Sequence, residues 1–270
     1  MPGLGIIAGR GDLPRLIAEA RAGDGQNYHV IALRDFAGDW VRGHPHSRVG
    51  MLEIRKLLGA LSHAGCDEVV MAGGVERPKI NPLGLDTKAL SWLPRLVPAL
   101  RKGDDAALRT VRALLEGEGL TLRGADEVLD GLQVGAGVLG AHGPDAQALA
   151  DIERAEALLA AMAEQDVGQG CVVRGGLVEG VETVSGTDAM LGFVAETRAT
   201  EPRGGVLVKR VKAGQDRKLD LPAIGVETVR RAHAANLAGI SIEADGTLIM
   251  GKAEVVAAAD EAGLFLVARP

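Results

Sequence analysis

The sequence has 270 residues, 47% hydrophobic and 24% charged, a composition typical of one large or two ordinary globular domains. A formal net charge of −6, scattered Lys and Arg residues and an aromatic content of 2% argue against a nucleic-acid partner. The N-terminus lacks a basic region followed by a long apolar core, and no apolar run reaches about 18 residues. We therefore expect a cytoplasmic protein without a spanning helix, and contact with the membrane surface stays open.

The first half of the chain alternates short apolar runs with helical patterns, which is typical of β-α-β units around a parallel sheet. Apolar residues at helical spacing predict covering helices near residues 51–61 and 108–115. We therefore predict an α/β fold that begins with a doubly wound, mostly parallel, Rossmann-like domain over residues 1–130. Its predicted strands are residues 5–8, 29–33, 68–72 and 121–124.

The second half has a different order of predicted helices and strands. A Gly-rich segment without a clear period, residues 131–144, is interpreted as a linker, and residues 145–270 as a C-terminal mixed α/β domain. We predict a helix at 145–163 and another that starts at Pro222 and runs to about residue 235. The predicted strands are two hairpins, 171–174 with 177–182 and 240–243 with 247–250, and single strands at 206–211 and 264–268.

A Gly-Arg-Gly-Asp-Leu-Pro segment directly follows the first predicted strand, where doubly wound sheets bind ligands. Gly9 and Gly11 would let a phosphate or ribose approach the backbone N–H groups of a helix N-terminus. Pro14 occupies the third glycine position, so the dinucleotide fingerprint is incomplete. Arg77, after the third predicted strand, would face an anion at the same sheet edge. The alternative is a purely structural turn capped by Asp12.

Residues 215–222 (Gln-Asp-Arg-Lys-Leu-Asp-Leu-Pro) concentrate charge before a proline. If the segment is extended, Asp216, Lys218 and Asp220 share one face and the two leucines take the other. A face with carboxylate, ammonium and carboxylate suits a divalent cation such as magnesium and a phosphate. The alternative is a solvated edge strand whose charges discourage pairing between sheets.

Polar side chains elsewhere in the second half provide further groups for such a site. Gln169 precedes a predicted strand, Thr187 and Asp188 stand at the start of a predicted helix that they would otherwise cap, and Lys209 lies on a strand. Carboxylates, an amide, a hydroxyl and a lysine in one domain suit metal-assisted phosphoryl chemistry. The six histidines show no metal-ligand spacing, and the two cysteines are interpreted as buried small residues.

An ordered set of motifs runs along nearly the whole chain. It consists of residues 7–14, 71–73, 77–78, 166–169, 186–191, 215–216, 220–222, Gly225 with Thr228, and 259–263. This set resembles the LpxI family, UDP-2,3-diacylglucosamine pyrophosphatases of lipid A biosynthesis in Gram-negative bacteria. Two positions depart from the family pattern: Ser185 replaces a usual glutamate, and Lys218 replaces a usual arginine.

The resemblance implies magnesium-dependent hydrolysis of the pyrophosphate bond of UDP-2,3-diacylglucosamine, giving UMP and 2,3-diacylglucosamine 1-phosphate (lipid X). We hypothesise that Asp220, helped by Asp216 or Asp188, holds the metal or orients water, while Lys209 and Lys218 offset developing charge. The first domain would bind the UDP part, the second would be catalytic, and the cleft between them would be the reaction chamber. The predicted substrate-binding residues are Gly9, Gly11, Asp12, Arg77, Gln169, Thr187, Gln215 and Thr228.

The acyl chains of such a substrate need apolar walls. Residues 90–100 are the most apolar stretch outside the predicted strands, and they would dock on the inner membrane, line an acyl groove or form a buried connector. We also expect a homodimer. Two rival functions stay open: a nucleotide-dependent oxidoreductase with Asp35 after its second strand, which the incomplete fingerprint disfavours, and a sensor that binds the UDP-lipid without releasing UMP.

Overall fold

The computed structural model describes residues 3–77, 85–198, 202–212 and 216–270. Its contacts divide the chain into two compact units, Met1–Asp130 and Gly131–Pro270. The predicted α/β class is confirmed, because the first unit contains a parallel sheet and the second a mixed sheet. Across the described ranges, none of the helices is both long and apolar enough to cross a membrane.

The described part of the first unit is built on a parallel sheet with strand order β3-β2-β1-β4-β5. The central strand, Gly-Leu-Gly-Ile-Ile-Ala, is buried along its length, as expected for a strand covered by helices on both faces. The strands and α-helices of the first unit are β1 (Gly3–Ala8), α1 (Leu13–Gly23), β2 (Tyr28–Leu33), β3 (His46–Val49), α2 (Ile54–His63), β4 (Cys66–Ala72), α3 (Thr87–Lys102), α4 (Asp104–Glu116), β5 (Thr121–Arg123) and α5 (Ala125–Val128).

Two elements of this unit differ from the sequence-based prediction. β3 is a short, polar edge strand, so its residues lack the apolar pattern that marks the other strands. The apolar stretch at 90–100 lies in helix α3, which we did not predict because prolines disfavour helix interiors. Both prolines of α3 lie on its exposed side, whereas Trp92 and Leu96 are buried.

The described part of the second unit contains a mixed sheet with strand order β6-β13-β11-β9-β7-β8 and a small parallel pair, β10-β12. Strands β9, β11 and β13 are parallel, whereas β6, β7 and β8 each pair antiparallel. Its elements are β6 (Gly137–Val138), α6 (Ala146–Ala163), β7 (Gly170–Arg174), β8 (Leu177–Val181), α7 (Gly186–Arg198), β9 (Val206–Lys209), β10 (Ala223–Ile224), α8 (Val226–Ala234), β11 (Gly239–Glu243), β12 (Leu248–Ile249), α9 (Lys252–Glu261) and β13 (Phe265–Arg269).

The two faces of the larger sheet carry separate cores, as the two-residue strand period requires. Cys171, Val173 and Val206 face α6, whereas Val172 and Leu207 face the side covered by α7, α8 and α9. Because Gly170 and Lys209 follow the same alternation, they belong to the α7 side of the sheet.

The second predicted hairpin is wrong. β11 lies between β9 and β13, and β12 pairs with β10, so the chain leaves one sheet and joins another after residue 243. The prediction that Pro222 starts a helix is also wrong, because β10 intervenes and α8 begins at Val226. Both errors have one cause: the partner of residues 248–249 is a segment more than twenty residues away, which local turn signals cannot identify.

The Gly-rich segment at 131–144 is bonded into the second unit. Leu132 and Val134 are buried, and their carbonyl oxygens accept hydrogen bonds from Ile249 N and Asp245 N. β6, within the same segment, pairs with β13. The segment therefore forms part of the second unit's core and sheet edge rather than a free connection.

A buried carboxylate ties α6 to the β7-β8 hairpin. Asp151 is 1% exposed, and its carboxylate accepts hydrogen bonds from the backbone N–H groups of Gly175 at 2.9 Å and Gly176 at 2.7 Å. We expect Asp151→Ala to lower the free energy of unfolding by about 3 kcal/mol, since both N–H groups would lose their partner. Urea unfolding measures this, with the exposed Glu153→Ala as the control on the same helix. A change below about 0.5 kcal/mol would contradict this role.

Candidate active site

Three polar side chains converge where strands of the second unit's sheet end. Gly170, the first residue of β7, pairs with Lys209, the last residue of β9. On its other side, Gly170 O accepts a hydrogen bond from Glu182 N at 2.8 Å, just beyond β8. Residues opposite each other on neighbouring strands project to the same face. Glu182 and Lys209 therefore flank a glycine on the face that α7 covers.

The missing side chain of Gly170 makes room for this pair. A Cβ atom there would lie 2.8 Å from Glu182 Oε2 and 3.5 Å from Lys209 Cγ. The glycine thus lets the carboxylate and the lysine stem approach across the strand between them.

Hydrogen bonds connect the pair through Thr187, near the start of α7. Lys209 Nζ donates to Thr187 Oγ1 at 2.7 Å, and Thr187 Oγ1 donates to Glu182 Oε1 at 2.9 Å. Lys209 Nζ also lies 3.3 Å from Ala223 O and 3.9 Å from Glu182 Oε2. The Lys209 and Glu182 side chains are 7% and 14% exposed. We call Glu182, Thr187 and Lys209 the strand-end cluster.

An amide–carboxylate pair adjoins the strand-end cluster. Gln169 Nε2 donates to Asp220 Oδ2 at 2.7 Å. Gln169 directly precedes Gly170 in the chain. Asp220 stands three residues before Ala223, whose carbonyl oxygen contacts Lys209 Nζ. Four residues selected from sequence, Gln169, Thr187, Lys209 and Asp220, are therefore brought to one end of the sheet.

The charged octad is a turn and not the extended strand considered from sequence. Leu219 N donates to Asp216 O at 2.9 Å, and Lys218 N donates to Asp216 Oδ1 at 3.1 Å, a local bond that Asp often makes in turns. The alternating face of Asp216, Lys218 and Asp220 consequently does not form. The two leucines are buried, as the alternation also suggested, and Gln215 lies outside the described residues.

Arg217 anchors this turn, although sequence reasoning gave it no role. Its guanidinium donates to Glu243 Oε1 at 2.7 Å and to Asp245 O at 3.0 Å. Glu243 is 8% exposed and also accepts from Val211 N at 3.1 Å. A buried carboxylate at the end of β11 thus fixes the loop that carries Asp220.

The three predicted metal ligands do not form one group. Asp188 pairs with Arg231, with 3.5 Å between Asp188 Oδ2 and Arg231 Nε, and its side chain is 58% exposed. Asp216 bonds within its own turn, and Asp220 bonds Gln169. Over the ranges that the structure describes, no three His, Cys, Asp or Glu side chains form a group that could hold a metal.

Thr228 has a local structural role. Its hydroxyl accepts a hydrogen bond from Gly225 N at 3.3 Å, which satisfies a backbone donor at the N-terminus of α8. The cysteines are buried, as predicted. Burial raises the pKa of Cys171 to about 12 and also raises that of Cys66, so both thiols are protonated near neutral pH.

In the first unit, the loops after β1 and β4 meet, as their parallel pairing requires. Gly9 N donates to Ala72 O at 2.8 Å, and a Cβ at Gly9 would lie 2.6 Å from Gly74 O. Gly9 is therefore needed for the contact between the two loops. Gly11 has a φ of +91°, a left-handed conformation that favours glycine, and space is open around it.

The charged residues of this edge have partners within the protein. Arg77 donates through Nε to Asp104 Oδ1 at 2.8 Å, at the start of α4. The side chain of Asp12 makes no capping bond to α1, so the capped turn does not form. Asp12 Oδ1 instead lies 3.3 Å from a guanidinium nitrogen of Arg15. Arg10, which sequence reasoning did not select, donates to Glu76 at 2.7 Å and lies 5.1 Å from the Phe36 ring centroid.

Comparisons with known proteins cover nearly the whole chain. The model of the LpxI N-terminal domain matches residues 3–132, and that of the LpxI C-terminal domain matches residues 135–267. The UDP-2,3-diacylglucosamine pyrophosphatase LpxI of Caulobacter vibrioides is 42% identical over 269 residues, which are 98% of this chain and 96% of that protein. The solved structure of a CobK precorrin-6A reductase aligns over 100% of this chain and 89% of its own at 15% identity, but its TM-score of 0.30 supports no conclusion.

Proposed function

The chain belongs to the LpxI family, and from this premise we propose that it is a UDP-2,3-diacylglucosamine pyrophosphatase of lipid A biosynthesis. The observation that carries the proposal is the 42% identity to the Caulobacter enzyme along nearly the full length of both chains. The products would be UMP and 2,3-diacylglucosamine 1-phosphate. Water would add to one phosphorus, and the bridging oxygen would leave with the other phosphate.

The strand-end cluster supports this chemistry through its charge. Phosphoryl transfer needs cationic groups that offset the charge on the phosphate oxygens. Lys209 provides an ammonium held in a mostly buried position, where electrostatic interactions are stronger than in water. We assign Lys209 to the pyrophosphate oxygens and Thr187 to holding its ammonium. Lys218, on the neighbouring turn, is assigned a second, weaker share of this role.

Asp220 is assigned to the attacking water. Its carboxylate is held by Gln169 at 2.7 Å, and its loop is fixed by Arg217. A carboxylate held in this way would orient a water molecule for in-line attack and accept a hydrogen bond from it. Gln169 therefore acts on Asp220 and contributes to positioning.

Magnesium is the cofactor that we propose for this site. Mg²⁺ is commonly held by one or two carboxylates together with waters and substrate phosphates, so a three-carboxylate group is not required. Asp220 and Asp216 supply hard carboxylate oxygens from one loop and would hold it; Asp188, paired with Arg231, is not included. When bound, magnesium supplies Lewis-acid polarisation of phosphoryl oxygens.

Metal removal tests this part of the proposal. With UDP-2,3-diacylglucosamine as substrate, we expect excess EDTA to lower the rate of UMP release by about 100-fold or more, since a Lewis acid contributes several kcal/mol to such transition states. Adding magnesium back should restore the rate. An unchanged rate in EDTA, after dialysis against the chelator, would exclude a dissociable metal requirement.

The first unit is proposed to bind the UDP part. Gly9 and Gly11 lie at the carboxyl edge of β1, directly before α1, a position that suits contacts between phosphate and backbone N–H groups. Asp12 and Arg77 belong to the same proposal, although each has a protein partner in the structure. Because the substrate carries acyl chains, we also propose transient contact with the membrane surface. Leu90 on α3 is 47% exposed, whereas Trp92 is buried.

A further inference from the structure

We infer that Glu182 is a positioning residue of the active site, which acts through Thr187 and Lys209 on the pyrophosphate charge. The inference rests on the proposed function, in which Lys209 contacts the phosphate oxygens. Glu182 belongs to none of the motifs by which the sequence predicted the site. Its role follows from the contacts, burial and packing of its carboxylate.

The hydrogen bonds that link Glu182, Thr187 and Lys209 have a defined direction. A threonine hydroxyl has one proton to donate and lone pairs to accept. Because Thr187 Oγ1 donates to Glu182 Oε1 at 2.9 Å, the same oxygen presents lone pairs to Lys209 Nζ at 2.7 Å. Glu182 therefore fixes the Thr187 hydroxyl as an acceptor for the ammonium of Lys209.

Glu182 also carries the charge opposite to that of Lys209. A buried ammonium is unfavourable without a nearby counter-charge. Glu182 Oε2, 3.9 Å from Lys209 Nζ, provides that charge. The distance exceeds that of a direct hydrogen bond. The carboxylate of Glu182 consequently balances the charge of the Lys209 ammonium without bonding to it directly.

Two carboxylates on or next to β8 differ in their partners. Glu179, on β8, is 3% exposed, and its carboxylate contacts Arg174 at 3.0 Å and Arg198 at 3.2 Å, as expected of a structural ion pair. Glu182 Oε2 is buried and has no hydrogen-bond partner among the residues that the structure describes. Such an unsatisfied acceptor is unfavourable and needs a reason in a native structure. A counter-charge held 3.9 Å from the Lys209 ammonium, without a direct hydrogen bond to it, is a reason that the geometry supplies.

Two glycines shape the space around Glu182. A Cβ at Gly168 would lie 2.0 Å from the Glu182 carbonyl oxygen, and a Cβ at Gly170 would lie 2.8 Å from Oε2. Gly168 also has a φ of +45°. The backbone and the carboxylate of Glu182 are therefore both placed by close contacts that a larger residue would prevent.

A double-mutant cycle tests the inference. Glu182→Gln keeps the size and the acceptor for Thr187 but removes the charge. We expect it to lower kcat for UMP release by about 10- to 100-fold with KM within about threefold of wild type. In a Lys209→Met background, the same substitution should change kcat by less than about twofold, because its effect runs through the lysine.

Two further variants separate positioning from general structural damage. Gly170→Ala keeps every functional group but displaces the Glu182 carboxylate, so we expect a fall in kcat comparable to that of Glu182→Gln. Glu179→Gln removes a more deeply buried carboxylate from β8, so it should lower the urea midpoint while kcat stays within about twofold.

The outcomes are distinct. Equal factors for Glu182→Gln in the wild-type and Lys209→Met backgrounds would overturn the inference, as would a Glu182→Gln enzyme with wild-type kcat. Wild-type UMP release in the same assay tests the proposed function separately. If the wild type releases UMP and Glu182→Gln has the same kcat, the inference is contradicted but the proposed function is not.

Discussion

Replacing Asp220 with Ala is expected to lower kcat for UMP release by about three orders of magnitude, while the protein stays folded. The carboxylate that would orient the attacking water is lost, and removing such a group typically costs about 10²- to 10⁴-fold. Gln169 would lose its 2.7 Å partner, but the loop would still be held by Arg217 and Glu243. Steady-state kinetics together with circular dichroism and urea unfolding would measure both effects.

The exposed Glu196→Ala, on α7 of the same unit, is the matched control, and its kcat should equal that of wild type. Asp220→Asn keeps the size of the side chain and should be almost as slow as Asp220→Ala. If Asp220→Ala were folded and turned over at near wild-type speed, the assignment of Asp220 to the water would be wrong.

Replacing Lys209 with Met is expected to lower kcat by about 10²- to 10³-fold, the usual effect of removing one group that stabilises transition-state charge. Methionine fills similar volume, so the buried site keeps its packing but loses the ammonium. The loss should fall mainly on kcat, because the charge that Lys209 offsets grows in the transition state. Parallel measurement of kcat and KM distinguishes this from a loss of substrate binding.

Lys252→Met, an exposed lysine at the start of α9, controls for the loss of one positive charge. A Lys209→Met enzyme that retained kcat but had a much higher KM would show that Lys209 binds substrate without acting on the transition state.

The strands buried on both faces could be predicted from the sequence, because their apolar runs are local. β1, β2 and β4 coincide closely with the predictions, and so do the strands of the first hairpin. The pairing of β12 with β10 depends on contacts far apart in sequence, so the turn signal at 244–246 wrongly predicts a hairpin. Likewise, the prolines of helix α3 lie on its solvent-exposed side, which composition does not reveal.

The members of the strand-end cluster could be selected from the sequence only in part, for a similar reason. Lys209 and Thr187 were selected by type and position, but Glu182 was missed because its place opposite Gly170 depends on a register shift between Val172 and Val173. Without that shift, the pairing that starts at the hairpin turn would not place Gly170 opposite Glu182. The alternating face of the octad failed because the Asp216 side chain bonds its own backbone, which competes with the extended conformation.

The most direct test of the account is product analysis of UDP-2,3-diacylglucosamine turnover by the purified protein in isotopically labelled water with magnesium present. Mass spectrometry of both products would follow the bond that breaks. We predict equal amounts of UMP and 2,3-diacylglucosamine 1-phosphate, with one labelled oxygen in only one of the two phosphates. Release of UDP, or binding of the substrate without any release of UMP, would contradict a pyrophosphatase.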